Sequence, residues 1–331
     1  MEANKATSTD DLAEKVRFLS QPEAYPDQPA SVQLVETHFS YVFLTDTRVY
    51  KLKKNERYPF LDLSSLEARL ANCREEDRLN RWLAPDVYLG IVPLHRTSEG
   101  ALSLHPDGAV VDYLVHMVRL ADERNLEYQL CHGGLQPTDI TAAADWMTEF
   151  YRHTDRKGTT DVAARRRDCE RTAEELMELV NDSRVPELRD QLLRWMKAND
   201  RLLAQRALVD AHGDLRPQHL YLGAHPRVID RLEFDASLRR LDPLEELAFL
   251  TLECDRLGQR WVGEHFLERY ELLCDDTSPP GLVPFYQASR ALTWALLSAN
   301  HLVTNPESRG HWRERTRLYL DMGMTSLRSM V

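Results

Sequence analysis

Near residue 138 the hydrophobic pattern of the chain changes period, and nothing else in the sequence limits the fold as much. Before that point the apolar residues fall in short runs of β type: Val32–Val35, Tyr41–Leu44, Arg48–Lys53, Tyr88–Leu94, Ala101–Leu104 and Ala109–Leu120. Thr45-Asp46-Thr47 separates two of them and suits a hairpin turn. After it, amphipathic helical stretches run over 138–154, 161–182, 186–207, 243–257, 260–275, 284–303 and 308–328. Only 208–235 interrupts them, reading as loop, strand (His219–Leu222), hairpin turn, strand (Arg227–Asp230), loop.

Two helices are expected in the first part. One covers about 9–20, capped by Ser8–Asp10, with Pro22, Pro26 and Pro29 beyond it. The other opens at a capping box, Ser64-Ser65-Leu66-Glu67, and carries Leu66, Leu70, Cys73 and Leu83 at helical spacing. The expected class is α+β, with two lobes. A helical extension covers 1–30, a small β-rich lobe 31–120 and a large helical lobe 121–331.

The charge balance limits partners. With 42 basic and 53 acidic residues the net charge is −11, so nonspecific binding to nucleic acid or an anionic membrane is not expected. No apolar run reaches the roughly 18 residues of a membrane span, and the start MEANKATSTDDLAEKV has no apolar signal-type segment. Five scattered cysteines (Cys73, Cys131, Cys169, Cys254, Cys274) form no CxxC pair, which points away from zinc and disulfides and toward a reducing cytoplasm. No feature bears on oligomeric state.

The chemistry concentrates in Val209-Asp210-Ala211-His212-Gly213-Asp214-Leu215-Arg216-Pro217-Gln218-His219, then Val228-Ile229-Asp230. Asp214 and Asp230 stand 16 residues apart, at the edges of a short strand pair. A hairpin would turn both carboxylates to one cleft, an arrangement suited to a divalent metal plus a general base. An isolated His-Gly-Asp has little meaning alone; the spacing to Ile229-Asp230 gives it weight.

HGDLRPQH followed by VID resembles the catalytic and metal-binding segments of the aminoglycoside phosphotransferase and choline-kinase branch of the protein-kinase-like fold. The pattern there is HxDxxxxN, a strand pair, then a metal-binding Asp. The stretches ETHFSYVFLTDTRVYKLKK and FLDLSSLEARLANCREEDRLNRWLAPDVYLG look like bacterial aminoglycoside phosphotransferase-family proteins, and the resemblance covers about residues 30–300. Some relatives carry a further P-loop ATPase domain; with no GxxxxGKS or GxxxxGKT motif, none is expected here.

The resemblance implies ATP and Mg²⁺ as cofactors and a small-molecule acceptor. It casts Asp214 as the Asp that orients an acceptor hydroxyl and takes its proton late. Asp230 would hold Mg²⁺, His212 would brace the loop, and Arg216 would meet the γ-phosphate. His219 replaces the Asn of the pattern as second metal ligand. Imidazole suits Mn²⁺ better than Mg²⁺, so either one Mg²⁺ or a leaning toward Mn²⁺ is expected. Lys51 is the strand lysine for the α/β-phosphates and Glu76 its helix partner, with Glu67 the alternative. Lys53 and Lys54 read as solvated edge charges. Backbone groups around Met117–Arg119 would pair with adenine. Glu246 would brace the catalytic loop, or simply favour its helix dipole.

One departure is a shortage of glycine. The chain has 13 in 331 residues, roughly half the usual share, and residues 31–44 contain none. Glu36–Ser40 takes the place of a glycine loop, where Thr37 and Ser40 hydroxyls could meet phosphate or merely form a bend. Glu233, Asp235, Asp242 and Glu245 suit a cationic acceptor, and equally a solvated loop and helix start. The leading expectation is an ATP-dependent phosphotransferase acting on a small hydroxyl compound. The alternatives are a catalytically weak, nucleotide-binding regulatory module, and a phosphohydrolase built on His212, Asp214, His219 and Asp230.

Overall fold

The computed structural model describes every residue but Met1, Pro59 and Val331, and of these the side chains of all but residues 2–10 and 306. The chain forms two compact units. Unit 1 comprises Met1–Asn125 and Arg227–Ala236; unit 2 comprises Leu126–Pro226 and Ser237–Val331.

Unit 1 begins with helix α1 (Glu2–Leu19), which starts earlier than the expected cap at Ser8–Asp10. Its strands are β1 (Gln33–Glu36), β2 (Ser40–Leu44), β3 (Arg48–Lys53), the small hairpin β4 (Arg57–Tyr58) and β5 (Leu61–Asp62), then β6 (Tyr88–Arg96), β7 (Leu102–Ser103) and β8 (Ala109–Val118). Six of them form an antiparallel sheet in the order β1-β2-β3-β8-β6-β7. Helix α2 (Leu66–Asn80) packs against β6 and β8.

Strand alternation divides the core of this unit in two. On one face Tyr50 and Leu52 of β3 pack with Phe43, Leu94 and Leu114, and with Leu19 and Tyr25 from the N-terminal segment. On the other, Val49 packs with Cys73, Tyr88, Val115 and Met117. Each fully buried aliphatic side chain of this kind contributes about 1.5–3 kcal/mol. The second face also carries Lys51 and Lys53, so the alternation that builds the core aims both lysines toward α2. Buried Asp112 ties the unit together: Lys15 of α1 donates to its Oδ2 at 3.0 Å and Arg69 of α2 to its Oδ1 at 2.8 Å.

The capping box shifts by one residue. Ser65 is the cap and accepts the Ala68 N–H at 3.1 Å, while Ser64 bonds Asp62 instead. Glu67 therefore stands one position too early to reach back to the cap.

Unit 2 contains α3 (Leu126–His132), α4 (Pro137–His153), β9 (Arg156–Thr159), α5 (Val162–Leu179), α6 (Arg184–Ala198), α7 (Asp200–Gln205), β10 (Ala207–Asp210), α8 (Pro243–Arg256), α9 (Arg260–Cys274), α10 (Leu282–Thr304) and α11 (Arg309–Arg328). The single helix expected over 186–207 is two, broken at Asn199, and residue 207 already belongs to a strand. β10 lies between β9 and the short strand Arg240–Leu241, antiparallel to both. Every residue from Pro243 to Cys254 in α8 is buried, which makes α8 the centre of the helical core. Gly263 of α9 lets that helix approach: a Cβ there would stand 2.3 Å from the Thr251 Cα of α8. No helix among the described residues is long and apolar enough to cross a membrane.

Candidate functional site

In unit 1 the residues matched to nucleotide binding converge on Lys51. Its ammonium donates to Glu76 Oε1 at 2.9 Å and to Asp230 Oδ1 at 2.8 Å. Lys53, one step along the same face, donates to Glu76 Oε2 and to Glu233 Oε1, the latter at 2.6 Å. Glu76 and Lys53 are each 1% exposed. Burial opposes the Lys51 charge, yet the carboxylates of Asp230, Glu76 and Glu233 outweigh it and hold its pKa well above the ordinary lysine value. Lys53 is raised in the same way. Burial likewise opposes the Glu76 charge, and the two lysines overcome it and lower its pKa.

The segment carrying Asp230 is fixed from three elements. The Asp230 N–H donates to the Tyr88 hydroxyl of β6 at 3.2 Å, and the Arg231 N–H to Asn80 Oδ1 of α2 at 2.9 Å. Lys51 of β3 holds the side chain. Asp230 has φ +63°, a left-handed conformation that a non-glycine residue keeps only when its surroundings impose it.

Lys53 and Lys54 are not solvated edge charges. Lys53 is the inner half of the ion cluster, and Lys54, also buried, pairs with Glu36 at 2.6 Å. Glu233 closes the cluster rather than facing an acceptor. Period two placed Lys53 beside Lys51, but no local signal marked Glu233 as its partner.

Met117 is buried in the core of unit 1. The N–H groups after it already have partners: Val118 donates to Val87 O at 2.8 Å and Arg119 to Thr47 O at 3.0 Å. The Arg119 guanidinium donates to Thr45 O at 2.8 Å. The expected adenine contact around Met117–Arg119 thus meets two backbone donors in use.

The glycine-free turn is closed by its own residues and by aromatic rings. The Thr37 hydroxyl donates to Ser40 O and accepts the Ser40 N–H, both at 3.0 Å. Phe39 packs on Tyr58, Phe60 and Phe234 with ring centroids 4.8, 5.9 and 5.1 Å away. Ser40 is fully buried.

In unit 2 the loop after β10 carries the residues matched to catalysis. Gly213, at φ +94°, makes the turn between His212 and Asp214. Glu246 of α8 accepts the N–H of His212 at 3.1 Å and of Gly213 at 2.6 Å, and Tyr151 of α4 donates its hydroxyl to the same carboxylate at 2.7 Å. This is the bracing expected of Glu246, with Tyr151 as a member the sequence did not reveal. Burial raises the Glu246 pKa, more than these donors lower it.

The Asp214 N–H donates to His212 Nδ1 at 3.3 Å, and His219 Nδ1 donates to the Asp214 carbonyl at 2.8 Å. Arg216 donates to Asp214 Oδ2 at 2.6 Å, and its guanidinium stands over the Trp294 ring at 4.7 Å. His212 is fully buried, and His219 nearly so. The carboxylates proposed for a cationic acceptor are largely engaged. Asp242 pairs with Arg206 at 2.7 Å and Tyr286 at 2.8 Å, and Glu245 with Arg165 at 2.5 Å.

For a metal, Asp230 offers one carboxylate on an over-determined backbone, which fits Mg²⁺ shared with substrate phosphates. The His219 nitrogen Nδ1 is committed to the Asp214 carbonyl, which supports a bracing role for this ring. Among the described residues no group of three or more His, Cys, Asp and Glu side chains gathers as a metal site, as the phosphohydrolase alternative would need.

The structure matches a choline/ethanolamine kinase family protein from Mesorhizobium loti with TM-score 0.52 at 14% identity, over 97% of this chain and 99% of that one. It shares its kinase-like fold with that protein. The choline kinase LicA of Streptococcus pneumoniae matches at TM-score 0.50 and 14% identity, over 95% and 98% of the two chains. A glucosamine kinase matches at 0.50 and 16%, over 93% and 80%. The resemblance read from HGDLRPQH and VID, and the two-lobed α+β class, hold at the level of the fold. In sequence, uncharacterised proteins of Mycobacterium tuberculosis and Mycobacterium bovis are 30% identical over 288 residues, 82% of this chain and 56% of theirs. The chain thus spans about half the length of these curated relatives. No family model matches the sequence.

Proposed function

We propose that this chain is a phosphotransferase that moves the γ-phosphoryl group of ATP to a hydroxyl of a small molecule. The observation that carries the reading is Lys51, partly buried and held between Glu76 and an Asp230 of left-handed backbone. Such a lysine is aligned and fully charged, as a grip on α/β-phosphates requires. The Glu76 partner keeps it aligned when Asp230 turns to other work.

In unit 2 Asp214 would accept the acceptor's hydroxyl hydrogen bond, orient the oxygen in line and take its proton as the new O–P bond forms. The hydrogen bonds of Glu246, His212 and His219 fix the backbone on which it stands. Arg216 would neutralise charge on the transferred group, keeping its stack on Trp294. Mg²⁺ held by Asp230 would supply charge neutralisation on the phosphate oxygens. Transfer demands that Asp214 and Asp230 serve one nucleotide. Choline and glucosamine kinases share the fold, and fold alone does not choose the acceptor. With Glu245 and Asp242 already paired to arginines, support for a cationic acceptor is weak.

The turn at Thr37–Ser40 favours a second reading, a nucleotide-binding module with weak catalysis. Its aromatic packing leaves less room for backbone to approach a phosphate than a glycine loop does. ATP binding and turnover with Mg²⁺ or Mn²⁺, measured across a panel of hydroxylated metabolites, separate the two. Turnover lost in Asp214→Asn with ATP binding retained supports the transferase. ATP binding without turnover on any acceptor supports the module. Absence of ATP binding overturns both.

A further inference from the structure

In unit 1, Lys51 stands between two carboxylates of very unequal exposure. The Glu76 side chain, 2.9 Å from its ammonium, is buried, whereas the Asp230 side chain, 2.8 Å away, is 45% exposed. The Lys51 side chain is itself 13% exposed. Behind it Lys53 and Glu233 pair with each other, and both are buried. The contact of Lys51 with Asp230 is thus the part of this cluster that an ion from solvent can reach.

The two partners differ in their freedom to leave that contact. Asp230 is held by its backbone: φ is +63°, its N–H donates to the Tyr88 hydroxyl, and the next N–H donates to Asn80. Lys51 has a second carboxylate within reach. Glu76 also accepts from Lys53, so it stays in place when Lys51 releases Asp230. An ammonium that slips from Asp230 therefore keeps a buried counter-charge, and the large penalty of a bare buried charge is avoided.

The ammonium occupies the place of a cation at Asp230. A divalent ion arriving alone meets a positive charge one carboxylate away, whichever oxygen it approaches, and like charges at such range repel appreciably even in water. A nucleotide changes the balance, because its phosphates offer Lys51 another anionic partner through charge-assisted hydrogen bonds.

We propose that Lys51 selects the form in which metal enters: it keeps a free divalent cation from Asp230 and yields the carboxylate to a metal that arrives with phosphates. Lys51 is then a specificity-determining residue for the metal–nucleotide complex, beyond its grip on the α/β-phosphates. The nucleotide half of this inference rests on the phosphotransferase reading. The competition between Lys51 and free metal does not.

The test is Mn²⁺ titration of the nucleotide-free full chain, read from the paramagnetic resonance signal of unbound Mn²⁺. Wild type should bind weakly and Lys51→Met about tenfold or more tightly, from the loss of the repelling charge. The gain should vanish in Lys51→Met combined with Asp230→Asn, which separates Asp230 from Glu76 and from surface acids. Lys51→Gln serves the same comparison if Lys51→Met does not fold. In wild type, a fluorescent non-hydrolysable ATP analogue should bind more tightly with Mn²⁺ than without it. The inference is overturned if wild type binds free Mn²⁺ as tightly as the Lys51 variants, or if their gain persists with Asp230→Asn. Either result with normal binding of the ATP analogue leaves the phosphotransferase reading standing. No binding of the analogue with Mn²⁺ present overturns that reading and the nucleotide half of this inference together.

Discussion

Glu233 accepts a hydrogen bond from Lys53 at 2.6 Å, a contact between residues 180 positions apart. It ties the segment that carries Asp230 to strand β3 from a point three residues beyond Asp230. Lys51 makes the other tie, directly to Asp230. Two lysines on one strand face thus hold one segment at two points, and the carboxylate of Glu76 stands between them.

The first prediction follows from that division. Lys53→Met leaves Glu233 buried without its cation, and breaking one partner of a buried pair costs about 3 kcal/mol. A urea midpoint clearly below wild type is expected, and Lys53→Met combined with Glu233→Leu should recover much of the loss. An unchanged midpoint for Lys53→Met would refute the structural role.

A pH dependence follows from Glu76. Its folded pKa is lowered from the ordinary 4.5. Its contribution is therefore present above about pH 4.5 and lost as pH falls through the lowered folded value. Lys51 is raised above the ordinary 10.5, so its contribution is present below that value and lost as pH rises through the folded one. Glu76→Gln should lower the melting temperature most between about pH 4.5 and pH 10.5. The gap to wild type should close in acid, where Glu76 also becomes neutral. Thermal melts of both proteins at stepped pH check this, and a gap that is constant below pH 4 contradicts it.

Much of this was legible in the chain. The alternation Tyr50, Lys51, Leu52, Lys53 told which residues share a face, and the resemblance to the phosphotransferase pattern, not the helical period, singled out Glu76 on the helix that follows. What it could not tell was how many carboxylates would meet that face, since Glu233 arrives from a distant segment and tertiary contacts leave no local period. The same reason hid Tyr151. Strand β9, Arg-Lys-Gly-Thr, is exposed at all four positions, so it has no apolar rhythm to read. The glycine-free turn looked like a set of hydroxyls, because the rings that pack on Phe39 come from 58, 60 and 234.

The brace under the catalytic loop is testable in steps. Glu246→Ala removes the acceptor of three donors: the N–H groups of His212 and Gly213 and the Tyr151 hydroxyl. Each buried donor left without a partner costs about 1–3 kcal/mol. Glu246→Ala should therefore be destabilised by more than about 3 kcal/mol. Tyr151→Phe, which removes one donor and leaves the other two satisfied, should lose only about 1 kcal/mol. Chemical denaturation of both variants gives the ranking. Equal losses would show that the carboxylate does not hold the loop.

The final prediction concerns His219, which stands where the related pattern has an Asn. Its Nδ1 donates to the Asp214 carbonyl, so the ring fixes the backbone of the residue proposed to orient the acceptor. An Asn amide can make the same donation over a similar reach, and its oxygen is a better Mg²⁺ ligand than imidazole. His219→Asn should therefore keep the loop, and its Mn²⁺/Mg²⁺ activity ratio reports whether the side chain at 219 also reaches a metal. His219→Ala should lose the donation, lowering kcat about tenfold, near 1.4 kcal/mol of transition-state stabilisation, with little change in the KM for ATP. The two substitutions separate two roles. If bracing alone matters, Asn restores kcat and the Mn²⁺/Mg²⁺ activity ratio stays at the wild-type value. If the imidazole also reaches a metal, the ratio falls in His219→Asn. A His219→Ala variant with wild-type kcat in either metal would remove His219 from both.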